Sequence, residues 1–220
     1  MKPESLKHLQ QMHALSSDNQ YFRELIEAII RIESETTTKS KFKIWDYVTK
    51  DSIRPAMCCV FHDGGFKVAT DSHILIALEE GYDPDMEGKL LKKDGTIETE
   101  RTKYPKWRDV IPNPELTEMV SVKLDFAKIR DFEKDFKAKM KAAVWKGLDG
   151  YVKVNGNCWF KLGLLMKAVK FMEHVGTDVL MVHPDGRRAA LAVGGQSKCI
   201  VMPIMSVAVD DSNKDRIYTL

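Results

Sequence analysis

Residues 57–78 read Met57-Cys58-Cys59-Val60-Phe61-His62-Asp63-Gly64-Gly65-Phe66-Lys67-Val68-Ala69-Thr70-Asp71-Ser72-His73-Ile74-Leu75-Ile76-Ala77-Leu78. Three apolar runs alternate here with two polar breaks. Met57–Phe61 is short and apolar, suited to a buried strand. His62-Asp63-Gly64-Gly65 is a hairpin turn, because glycine reaches the positive φ such turns require. Phe66–Ala69 leads back as a strand, and Ile74–Leu78 makes another. Upstream, Phe42, Ile44 and Trp45 suggest a further strand, followed by Asp46–Arg54 and closed by Pro55. The order expected over 41–82 is β-α-β-β-β.

A second unit of the same kind lies downstream over 151–205, preceded by a strand and a long helix. Ser121–Leu124 alternates as a strand, and Phe126–Val144 is the clearest helix of the chain, with Phe126, Ile129, Phe136, Met140 and Val144 on one side. Tyr151–Val154 and Cys158–Leu162 form a hairpin turned at Asn155-Gly156. Leu164, Leu165, Ala168, Val169 and Met172 line a second amphipathic helix. Strands follow at Val179–Val182, Ala189–Val193 and Cys199–Met202. The repetition is one of pattern, without sequence identity. Between the units, about 83–120 reads as a variable insertion, charged and glycine-bearing over 83–103, with a hairpin turned at Asp94-Gly95. Tyr104–Pro112 is a connector bracketed by prolines.

The fold class expected is α+β: two β-α-β-β-β units forming antiparallel sheets backed by two amphipathic helices. The domain spans 41–205, after an N-terminal helical extension (1–40) and before a C-terminal tail (206–220). In the extension, Ser17 and Gln20 fit a capping box, and Phe22, Leu25, Ile26, Ile29 and Ile30 share one helical face.

Composition excludes several classes. The 220 residues are 44% hydrophobic and 30% charged, as in ordinary globular proteins. No apolar run approaches the roughly 20 residues of a membrane-spanning helix, and Met1–Gln11 lacks the apolar stretch of a secretory signal. Cys58, Cys59, Cys158 and Cys199 form no C-x-x-C pair and read as free buried thiols, suited to a reducing cytoplasm. The net charge of +2 does not announce nucleic-acid binding, which only a local asymmetry could support.

Three segments resemble the bacterial DNA sliding clamp, the processivity subunit of the replicative polymerase. Phe66–Leu75 resembles its strand-turn-strand, which typically reads A-T-D-G-H-R-L. Tyr104–Pro112 resembles its interdomain connector, typically F-P-D-Y-R-R-V-[IL]-P, and Ile200–Ile204 its closing V-V-M-P-[MIL] strand. The family's glycine is Ser72 here, its following arginine is Ile74, and the second arginine of the connector is Asp109. The spacing between the first two segments is also shorter than in a full clamp. The resemblance implies a clamp-like fold and a groove for short hydrophobic peptides from replication or repair proteins. Carried over by position, that groove draws on Thr70, Ser72, His73, Leu75, Pro105, Val110, Ile200, Met202, Pro203 and Ile204. It also implies helices that meet duplex DNA without reading sequence, through Lys128, Arg130, Lys134, Lys137, Lys139, Lys141, Lys167 and Lys170, and self-association into a ring. The residues alone read otherwise: a solvated helix face with i,i+4 pairs such as Glu133 with Lys137 and Asp135 with Lys139.

Enzyme chemistry is not expected. Asp71 and His73 share a strand face, but no motif supplies a nucleophile or a second carboxylate, and Asp71 reads as a turn former. Gly194-Gly195 lacks the Lys-Ser/Thr of a phosphate loop. The tryptophans are scattered singly and offer no stacking platform. No cofactor, metal or membrane is implied. Two functions follow: a clamp-like protein that binds duplex DNA and partner peptides, or a protein-interaction adaptor that uses the groove without a ring or DNA.

Overall fold

The computed structural model describes residues 42–99, 103–115, 117–142, 148–205 and 213–220, all within one compact unit, Phe42–Leu220. The N-terminal helix read from the capping box at Ser17 and the end of the long helix near Val144 lie outside them.

Strands β1 (Val60–Asp63), β2 (Phe66–Thr70) and β3 (Ile74–Leu78) form the meander expected from the opening stretch. They belong to an eight-stranded antiparallel sheet with β4 (Leu90–Leu91), β5 (Val120–Lys123), β8 (Val179–Val182), β9 (Ala190–Gly194) and β10 (Ser197–Val201), in the order β4-β1-β2-β3-β10-β9-β8-β5. The halves of the sheet join where β3 pairs with β10, Ile76 opposite Cys199 and Leu75 opposite Ile200. A smaller sheet holds the hairpin β6 (Tyr151–Val154) and β7 (Cys158–Lys161), with β11 (Ile217–Thr219) parallel to β6. The expected hairpin at Asp94-Gly95 is present: Leu91 bridges Ile97, and the Lys92 N–H donates to the Thr96 carbonyl at 2.8 Å.

Every residue of β3 is buried, which explains its unbroken apolar sequence, since both faces of the sheet are covered. Ile74, Ile76 and Leu78 point to the larger core, with Cys199 and Val201 of β10. Leu75, Ala77 and Ile200 point the other way, to a smaller core roofed by Trp107 and Tyr104 of the connector. Helix α1 (Phe126–Ala142) and helix α2 (Leu162–Val175) lie on the larger-core side. In α2, Leu165, Phe171 and Met172 are fully buried and each contributes about 1.5–3 kcal/mol by leaving water. The helix stops at Gly176, whose φ of +75° is left-handed. Gly194 lets β9 approach α2 closely, because a Cβ there would sit 2.4 Å from Val175 Cγ2. Helix α1 is peripheral. Only Ile129 is fully buried, and an Arg130–Glu173 ion pair ties it to α2.

The eight-stranded antiparallel sheet, the β6–β7 hairpin and the two amphipathic helices are those expected, with two departures in the first unit. The strand expected at Phe42–Trp45 is replaced by a 3-10 turn, Ile44–Asp46, because these aromatics serve as caps on the helix rather than as sheet partners. Phe42 stacks on His174 at 4.4 Å and meets Phe171 edge-on, and the buried Tyr47 donates from its hydroxyl to the Lys167 carbonyl at 2.7 Å. Among the described residues no α-helix forms before Phe126. The segment closed by Pro55 instead ends in a 3-10 turn, Pro55–Cys58. The residues set apart as a tail contribute too, since Ile217–Thr219 complete the smaller sheet. All four cysteines are free. Three are buried, Cys58 is half-buried, and burial pushes the Cys158 thiol up to about 11. Among the described residues no helix is long and apolar enough to cross a membrane.

Candidate functional site

The turn between β2 and β3 builds one wall of a cleft. Asp71 organises it: Oδ1 accepts the N–H groups of His73 and Ile74, both at 3.0 Å, in the side-chain-to-backbone pattern that favours Asp in turns. Its Oδ2 accepts from Lys167 Nζ of α2 at 2.7 Å. The Thr70 hydroxyl donates to the Ile74 carbonyl at 2.8 Å and accepts the Ser72 N–H at 3.1 Å. Ser72 has φ +76°, in the left-handed region, which is the physical reason a glycine suits this position. The Arg54 guanidinium donates to Ser72 Oγ at 2.5 Å.

The second wall is the connector. Trp107 is buried in the smaller core and donates from Nε1 to Asp63 Oδ2 at 2.7 Å. Arg108 pairs with the same carboxylate and lies 4.3 Å over the Trp107 ring. Tyr104 stacks on Phe61 at 4.8 Å, and burial pushes its phenol well above the usual range. The end of β10 closes the third side, where the Met202 N–H donates to the His73 carbonyl at 2.8 Å.

Between these walls is a cleft of about 360 Å³. Eight of the ten groove positions read from the sequence line it: Thr70, Ser72, His73, Leu75, Pro105, Val110, Ile200 and Met202. Val110 is 54% and Met202 42% exposed, a large apolar area to leave in water beside a cavity. Pro203 and Ile204 do not line it. The chain leaves the sheet after Val201 and crosses to the smaller one, where the Ile204 N–H donates to the Trp159 carbonyl at 2.8 Å. Five lining residues lie outside the groove set read from the sequence: Arg54, Met57, Ile74, Lys106 and Trp107. Ile74, Lys106 and Trp107 sit inside segments already singled out. Arg54 and Met57 come from a segment with no motif, brought in only by the turn at Pro55.

Most helix cations read as DNA contacts are engaged with carboxylates. Arg130 pairs with Glu173, Lys134 with Asp131 at 3.1 Å, Lys137 with Glu133 at 2.7 Å, Lys139 with Asp135 at 2.8 Å and Lys167 with Asp71. The i,i+4 pairs offered by the spacing are therefore present. Lys128, Lys141 and Lys170 are exposed and have no carboxylate within 4.0 Å among the described residues. Lys128 Nζ lies 5.8 Å from the Phe132 ring centroid. Asp71 meets the backbone of His73 and the ammonium of Lys167, which bears out its role as a turn former.

An eight-stranded antiparallel sheet continuous across two units, with paired helices on one face and a connector on the other, is the architecture of a sliding-clamp fold. Solved structures agree. The DNA polymerase sliding clamp from Pseudomonas aeruginosa, solved with a ligand, matches with a TM-score of 0.50 at 14% identity, over 73% of this chain and 61% of that one. The sliding clamp (DNA polymerase III subunit beta) from Bartonella birtlesii, bound to griselimycin, matches with a TM-score of 0.50 at 10% identity over the same shares. No family model and no curated protein matches the sequence. The chain thus has the fold of the bacterial sliding clamps in a divergent form, and it spans 61% of the length of the solved clamps it matches.

Proposed function

We propose that this protein is a non-enzymatic, clamp-fold binding module that receives short apolar peptide segments of partner proteins in the cleft between the β2–β3 turn, the connector and the end of β10. The observation that carries this reading is the cleft itself. Sequence-distant segments converge to leave Val110 and Met202 exposed beside an apolar floor of Leu75 and Ile200. Ligand pockets are built this way, mostly apolar with a few convergent polar groups. A methionine at the mouth adapts to varied side chains. Replication or repair proteins are the partner class, by likeness of fold to polymerase clamps.

The test is a random heptapeptide display library panned on the full chain. Apolar-rich sequences that compete with one another are expected. Their binding should weaken about 5-fold on Met202→Ala, with the thermal midpoint unchanged. Peptides indifferent to Met202→Ala and to Val110→Ser would sink the proposal.

A second reading, weak and sequence-independent contact with duplex DNA along α1 and α2, is favoured by the three exposed lysines, Lys128, Lys141 and Lys170, that have no carboxylate partner among the described residues. Encirclement of DNA would further need several copies of the chain. Light scattering with and without duplex DNA tests this, and a monomer under both conditions removes the ring.

A further inference from the structure

We infer that the cleft selects apolar segments carrying an Asp or Glu side chain, which Arg54 and Lys106 read from the rim; this rests on the cleft being a peptide site. Among the described residues the lining contains no carboxylate, yet it holds two cations above a floor of Met57, Leu75 and Ile200. Among the described residues neither Arg54 nor Lys106 has a carboxylate within 4.0 Å. The neighbouring Arg108 shows what this stretch does with a cation that serves the fold: it seats it on Asp63 and over Trp107. Lys106 is given no such seat.

Arg54 is aimed rather than buried. Its bond to Ser72 Oγ fixes the guanidinium at the mouth of the cleft while using one of its five N–H donors. The remaining donors match a carboxylate, which a planar guanidinium binds with two parallel hydrogen bonds. An apolar floor beside the pair lowers the local dielectric and strengthens that contact. A nucleic-acid strand fits less well. Its bases need an open aromatic face, and Trp107 is only 3% exposed, its ring facing the smaller core and Arg108.

The experiment uses heptapeptides recovered from the display library, with both ends blocked so that no terminal carboxylate contributes. Each is made in its acidic form and in the matching Asn or Gln form, and affinities for the full chain are read by fluorescence anisotropy. The acidic form should bind roughly 5-fold tighter. Lys106→Gln and Arg54→Gln should each shrink that ratio, weakening the acidic form by a larger factor than the neutral form. Salt near about 1 M should bring the two forms together. Equal binding of both forms, still weakened by Met202→Ala, overturns the charge selection and leaves the peptide cleft standing. Loss of Met202 dependence for every peptide brings down the cleft reading and this inference with it. Displacement of the bound peptide by an oligonucleotide also overturns the inference, because the rim would then be reading phosphate.

Discussion

Ser72 and His62 show how single side chains strain the fold at identifiable points. Ser72 occupies left-handed backbone at the lip of the cleft, a conformation that glycine accepts freely and β-branched residues resist. Its hydroxyl also receives Arg54. Ser72→Gly is therefore expected to change stability by less than about 0.5 kcal/mol, relief of strain offsetting a freer unfolded chain. Ser72→Val is expected to cost about 2 kcal/mol, and urea unfolding of the two variants checks both. His62 is 3% exposed, and among the described residues no well-formed hydrogen bond reaches either ring nitrogen. Burial lowers its pKa, with nearby Lys67 adding to that; the Asp83 backbone and the Asp83 and Glu87 carboxylates oppose it without prevailing. The folded state then holds His62 neutral where the unfolded chain, with a value near about 6.5, takes up a proton. Stability from this residue is full above that pH and is lost as pH falls through the window between the unfolded and the lowered folded value. The urea midpoint should therefore drop on mild acidification, and His62→Phe should flatten that drop. An identical pH profile in the variant would remove His62 as the cause.

At the scale of elements, the C-terminal strand holds helix α1 in place. Tyr218 of β11 stacks on Phe132 at 4.8 Å and donates to Asp135 Oδ2 at 2.8 Å, while Lys139 Nζ donates to the Asp215 carbonyl at 3.2 Å. Tyr218→Ala removes a half-buried ring and a charge-assisted bond, and about 2 kcal/mol of stability should go with it. Faster amide exchange should appear over 126–142 and not over β3. This arrangement was not legible in the sequence, because β11 is three residues long and pairs in parallel with a strand remote in the chain, leaving no local period to read. The turn at 42–47 failed for the opposite reason. Its aromatics have strand propensity, but packing on α2 overrode it. The β1–β3 meander, both helices and the hairpins were legible, since each declares itself within a few residues by period or by turn chemistry. The cleft was legible where it comes from contiguous segments. Arg54 and Met57 were not, because only the tertiary path through Pro55 brings them there, and Pro203 and Ile204 were lost where the chain leaves the sheet.

Over the whole molecule, charge separates a clamp fold from a clamp. The two helices carry the eight cations that the resemblance reads as duplex contacts. Five of them are neutralised by carboxylates on the same helix, on the partner helix or at Asp71. A duplex phosphate must displace those carboxylates, which is costly when the pair is partly buried, as for Lys167 at 31% and Asp71 at 17% side-chain exposure. Lys128, Lys141 and Lys170 can engage phosphate without such exchange. Counterion release then sets a measurable limit. Three contacts give a slope of log affinity against log salt of roughly −3, whereas eight would give roughly −7. Anisotropy of a labelled duplex across a salt series should return the shallow slope, and Lys128→Glu with Lys141→Glu should abolish the binding while peptide affinity in the cleft stays as it was. A slope near the steeper value would mean that the helix carboxylates yield to DNA and that the encircling reading deserves preference. No binding even at low salt would leave the cleft as the working site of the protein, and the helices as a solvated, internally paired face of the scaffold that holds it.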